Sequence, residues 1–83
     1  MDAETAIRRF VEDSLIVTVD EPIADDDNIF ERGFVDSLFA LQLVTFIEGE
    51  FAVTIADDDL RRENFQSIRA ILSFVRSKLE TAA

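Results

Sequence analysis

Residues 33–51 read Gly33-Phe34-Val35-Asp36-Ser37-Leu38-Phe39-Ala40-Leu41-Gln42-Leu43-Val44-Thr45-Phe46-Ile47-Glu48-Gly49-Glu50-Phe51, a loop glycine, then an acid and a serine, then an apolar-rich run. Asp36 stands where a helix cap belongs and Ser37 opens the helix, which the spacing carries from Ser37 to Phe51. At about 100° per residue, Ala40, Leu43, Val44, Ile47 and Phe51 share one face, the predicted core stripe, and Leu38, Gln42, Thr45 and Gly49 point the opposite way. That outward stripe carries no charge, which is unusual in so acidic a chain. Bounded by Leu38, Phe39 and Phe46, it reads as a docking surface.

Toward the N-terminus, Asp2 is a good cap, and Ala3, Ile7, Phe10, Val11 and Leu15 recur at helical spacing, predicting a helix over 3–16. Val17-Thr18-Val19 and Pro22 end it, because β-branched residues and proline favour extended or turn backbone. Residues 17–35 form a long connection, and Ile23, Ile29, Phe30, Phe34 and Val35 give it apolar anchors against a core. Toward the C-terminus, Asp57 or Asp58 is expected to cap a short helix ending near Asn64. Ser67 is expected to cap a last helix over 67–80 with Ile68, Ile71, Leu72, Val75 and Leu79 inside and Arg69, Arg76 and Lys78 in solvent. The predicted architecture is all-α: one domain over residues 1–83, a small four-helix bundle of three longer helices and one short one, with a long first loop.

Composition narrows the chemistry. The 83 residues hold 18 Asp and Glu against 8 Lys and Arg, a net charge of −10, so the field repels nucleic acid and anionic membrane surfaces. Neither Cys nor His occurs. Disulfides, thiolate nucleophiles, imidazole bases and zinc sites of the usual ligands are therefore excluded, and no catalytic residue or metal site is expected. The start lacks a basic n-region and no apolar run is long enough to span a bilayer, which points to a cytoplasmic protein, monomeric by its charge. Residues 1–60 carry 16 acids and 3 bases while residues 61–83 carry 2 acids and 5 bases, so the two ends are set to attract. The runs Asp25-Asp26-Asp27 and Asp57-Asp58-Asp59 read as solvated loop acids.

The residue pair at the start of the central helix has two readings. Asp36 or Ser37 serves only as a cap, or the helix N-terminal amides and dipole favour a negative group on Ser37. The wider segment Asp27-Asn-Ile-Phe-Glu-Arg-Gly-Phe-Val-Asp-Ser-Leu38, followed by 39–51 and by Asn64-Phe65-Gln66-Ser67-Ile68, resembles the acyl carrier protein family across nearly the whole chain. Asp36-Ser37-Leu38 looks like that family's attachment motif. The resemblance implies 4′-phosphopantetheine joined to Ser37 by a phosphodiester, installed from coenzyme A by a Mg²⁺-dependent phosphopantetheinyl transferase that Asp36 helps to position. It further implies a thioester-bound cargo that an adenylation or other loading enzyme supplies and an acyltransferase or polyketide synthase receives. Leu38 would be a partner contact. Phe39, Gln42, Thr45 and Phe46, with Glu48 the nearest acid, would form a recognition face less charged than in carriers of fatty acid synthesis. The run from Gly33 to Val44 is similar to discrete carriers of polyketide pathways that handle an amino acid starter or an alkoxymalonyl or glyceryl-type extender unit.

The residues bear on three other functions. Neither Asp run continues into the alternating acids, central Gly and closing Glu of a calcium loop. A carboxylate-pair hydrolase needs a larger body than this chain supplies. An unmodified acidic helical module that binds a basic or apolar surface through Leu38, Phe39 and Phe46 is the alternative that Ser37 discriminates. On either account, Leu38→Glu and Phe39→Glu are expected to weaken docking and leave the bundle folded.

Overall fold

A computed structural model describes residues 2–82. Among them are four α-helices and no strand: α1 (Ala3–Asp13), α2 (Leu38–Phe51), α3 (Arg62–Phe65) and α4 (Ile68–Ala82), with a single 3₁₀ turn at Asp57–Asp59. The helical bundle with its long first loop is as the spacing predicts. α1 begins where Asp2 accepts the amide of Thr5 at 2.8 Å and ends three residues earlier than expected, at Asp13. The Ser14 hydroxyl turns back to the carbonyl of Phe10 at 2.8 Å, one of the side-chain bonds that compete with helix continuation. α4 starts on the predicted cap, with Ser67 Oγ accepting the amide of Ala70 at 3.0 Å.

α4 packs against α1, α2 and α3, and its stripe of Ile68, Ile71, Phe74 and Val75 is buried with Ile7 and Val11 of α1 and Phe39, Leu43 and Ile47 of α2. This differs from the expected stripes of α4 and α2. On α4 Phe74 is buried, Leu72 is only half-buried and Leu79 is exposed. On α2 the buried line runs through Phe39, while Ala40, Val44 and Phe51 are only half-buried. The Phe39 ring lies 5.8 Å from Phe10 and 6.0 Å from Phe30. Phe46 stacks on Phe10 at 4.4 Å and 15°. These rings bury large areas against one another, and that gain rotates the helix toward Phe39.

The first loop is fastened at both ends. Ile23, Ile29, Phe34 and Val35 are buried, as the anchors require. The amide of Ile29 donates to the carbonyl of Gln66 and that of Arg69 to the carbonyl of Asp25, each at 2.9 Å. The acids of the loop are engaged, not merely solvated: Asp25 pairs with Arg8 of α1, Asp26 with Arg69 of α4 at 2.8 Å, and Asp27 with Arg32 at 3.3 Å. Of these pairs only Asp26–Arg69 joins the acidic region 1–60 to the basic region 61–83; the other two lie within the acidic one. The second acidic run is corrected likewise. Asp59, not Asp57 or Asp58, closes the turn by accepting the amide of Ala56 at 2.9 Å, and it holds Lys78, which is therefore not a free solvent cation.

Candidate functional site

The chain approaches α2 through a tight turn. Asn28 Oδ1 accepts the amides of Phe30 and Glu31 at 3.1 and 3.0 Å, and Gly33 then adopts φ 72°, a left-handed backbone that glycine takes without a Cβ clash. Phe34 is pinned on two sides: its amide donates to the carbonyl of Ile29 at 3.0 Å and its carbonyl accepts the amide of Ile16 at 2.9 Å. With Phe34 and Val35 buried, the next residues are forced outward.

Asp36 and Ser37 are exposed and divide the work of the helix start. Asp36 Oδ1 accepts the amide of Phe39 at 3.2 Å. Ser37 lies in helical conformation, φ −68° and ψ −22°, and makes no side-chain capping bond. Capping by Asp36 therefore leaves the serine hydroxyl at the surface beside the positive end of the 14-residue α2.

An open groove of about 590 Å³ adjoins Ser37. Its walls are apolar, from Phe30, Val35, Ala40, Leu41, Val44, Leu60 and Phe65, and Asp36, Arg61 and Arg62 contribute its charges. Leu41, 68% exposed, and Leu60, 54% exposed, form its lips, and Leu38 stands one turn before Leu41. Leu41, Leu60, Arg61 and Arg62 are not among the residues singled out from the sequence. Leu41 carried a usable signal, since it lies four residues after Ser37 and so on the same side of the helix. The other three come from the far side of the fold.

Of the expected recognition face, Leu38, Gln42 and Thr45 are exposed. Phe39 is not: at 1% exposure it belongs to the core and is withdrawn from the docking surface, and with it the expectation that Phe39→Glu folds. Phe46 is half-buried, with its ring stacked on Phe10. Glu48 is occupied locally, accepting the amide of Ile55 at 2.9 Å and tying down the segment after α2. Among the described residues no helix is long and apolar enough to cross a membrane.

Comparison with known proteins agrees with this geometry. Residues 6–75 match the model of a family described as "Phosphopantetheine attachment site". The chain is 27% identical over 75 residues to the D-alanyl carrier protein of Streptococcus suis (strain 05ZYH33), covering 90% of this chain and 92% of that one. It is 30% identical over 78 residues to the D-alanyl carrier protein of Enterococcus faecalis (strain ATCC 700802 / V583), covering 93% and 97%. The chain therefore belongs to the phosphopantetheine-binding acyl carrier protein family, non-catalytic carriers whose cofactor is a covalently attached 4′-phosphopantetheine.

Proposed function

We propose that Ser37 is the attachment residue and that the chain is a discrete, monomeric, cytoplasmic carrier that presents one activated acyl building block to successive enzymes. The observation that carries this reading is the division of labour between Asp36 and Ser37: the acid takes the capping bond to Phe39, and the serine hydroxyl stays exposed with no capping role. In loading, the Ser37 oxygen attacks the phosphorus of coenzyme A nearer the pantetheine. A serine O–P bond forms, the pyrophosphate P–O bond breaks, adenosine 3′,5′-bisphosphate leaves, and the serine proton passes to a base of the transferase. When bound, the arm supplies the thiol that a chain without Cys lacks, and that thiol holds the acyl group as a thioester. The protein's share is position: the Phe34 and Val35 anchors hold the turn, Asp36 holds the helix start, and Leu38 and Leu41 offer an exposed apolar contact to partner enzymes.

The neutral stripe at Leu38, Gln42 and Thr45 suits partners that read shape and apolar contact more than charge. This supports service in a polyketide pathway, with a loading enzyme on one side and an acyltransferase or polyketide synthase on the other. A second reading, an aminoacyl cargo placed by an adenylating enzyme, draws on the names of the D-alanyl carrier relatives. The test common to both is intact mass before and after incubation with coenzyme A, Mg²⁺ and a broad-specificity phosphopantetheinyl transferase. One added phosphopantetheine on a peptide containing Ser37, and none on Ser37→Ala, is the expected result. Labelling of Ser37→Ala, or no labelling of the parent by an active transferase, overturns the assignment in favour of an unmodified interaction module.

A further inference from the structure

The groove beside Ser37 is lined by the side chains of two adjacent cations, Arg61 and Arg62, in a protein of net charge −10. Arg8, Arg32, Arg69 and Lys78 each hold an aspartate. Arg61 and Arg62 form no such pair among the described residues. Arg61 uses only its Nε, which donates to the backbone carbonyl of Asp58 at 3.1 Å. Asp59 lies within its field, but that carboxylate is already bonded to Lys78. Arg62 places its guanidinium 5.8 Å from the centre of the Phe30 ring, itself a wall of the groove. Neither arginine forms an ion pair among the described residues, although Asp58, Asp59 and Glu63 lie near Arg61.

Resting on the carrier reading of Ser37, we propose that Arg61 and Arg62 are a carboxylate-reading rim, and that the cargo class is a dicarboxylic acyl group, bound as thioester at one end and ionised at the other. A guanidinium fork matches a carboxylate with two parallel N–H donors, and apolar walls strengthen that pairing by thinning the water around it. The groove's size, about 590 Å³, is in the range that accommodates a small organic ligand. Two guanidiniums against the single Asp36 carboxylate leave the groove's own charge net positive, which an ammonium-bearing aminoacyl group opposes. Charge complementarity therefore favours the malonyl-type building blocks over the aminoacyl ones.

The test uses the full chain loaded at Ser37 by the transferase with unacylated coenzyme A, butyryl-, succinyl- and β-alanyl-coenzyme A, three acyl groups of nearly equal length that differ in terminal charge. Backbone amide and arginine guanidinium nitrogen signals are recorded for each form. The expected result is a shift of the Arg61 and Arg62 guanidinium signals that is largest with succinyl, with a succinyl-dependent shift of the Leu41 and Val44 amides that is lost in the Arg61→Gln/Arg62→Gln variant. Equal arginine shifts for all three cargoes overturn the proposal. So does a shift already complete with the bare arm, which assigns the arginines to the phosphodiester. Failure of any form to load at Ser37 removes the carrier reading itself, whereas loading with charge-blind signals removes only the rim.

Discussion

Asp36 Oδ1 accepts the amide of Phe39 at 3.2 Å, so the acid, and not the serine beside it, satisfies an end donor of α2. Replacing Asp36 with Ala is expected to cost about 0.5–2 kcal/mol, the usual worth of a helix cap. Ser37→Ala is expected to stay within about 0.5 kcal/mol of the parent, because it removes an exposed hydroxyl with no capping bond. Denaturant unfolding of the two variants checks the contrast, and an equal loss from both would give the serine a structural role.

Phe39 and Leu38 are neighbours with opposite fates, 1% and 56% exposed. Phe39→Ala is expected to cost about 3–5 kcal/mol, and Phe39→Glu to abolish the native helical signal. Leu38→Glu and Leu41→Glu leave the fold within about 0.5 kcal/mol and weaken transfer of cargo to a partner enzyme. Phe51→Ala, from a half-buried ring, costs markedly less than Phe39→Ala. Circular dichroism and thermal unfolding separate these outcomes.

These side chains also mark how far the sequence could be read. In α1 and α4, polar residues break the apolar period, so Ile7, Val11, Ile68, Ile71, Val75 and the Ser67 cap are legible, while Ala6, Phe74 and the exposure of Leu79 are not. α2 is apolar nearly all round, with Leu38, Phe39, Leu41, Leu43, Val44, Phe46 and Ile47 on every side, so its period states a helix without stating its rotation. The rotation is decided by Phe10 and Phe30, which arrive from α1 and the first loop. Asp36 and Ser37 are readable because a helix start is a local event. The groove is not, since Leu60, Arg61 and Arg62 meet α2 only through the fold.

Asp59 titrates below its ordinary value of 3.8, chiefly because Lys78 hydrogen-bonds its carboxylate and secondly because the amide of Ala56 does. A folded-state pKa below the unfolded one stabilises the protein fully above the unfolded value, and the contribution is lost as pH falls through the folded value. Asp59→Asn is therefore expected to lower Tm at neutral pH and to flatten its decline on the acid side of about pH 4. Parallel Tm curves for parent and variant across that range would contradict this.

Ala52 ends α2 with φ 55° and ψ 42°, a left-handed conformation that opposes its Cβ. Glycine avoids that strain at some cost in unfolded-chain entropy, and Ala52→Gly is expected to raise stability by about 0.5–1 kcal/mol. Chemical denaturation read against the parent tests the sign.

The consecutive acids Asp25, Asp26 and Asp27 send their ion pairs to α1, to α4 and to the loop itself. Exposed pairs of this kind contribute only about 0–1 kcal/mol each, so their effect on total stability is small. Their effect on register is larger. They act as a three-pin plug that seats the stretch before Ile29 against α1, α4 and the loop at once. The connection ahead of the serine is thus expected to accept exchange at exposed positions such as Asp20 and Glu21 more readily than at Asp25, Asp26 and Asp27, whose partners lie on three different segments.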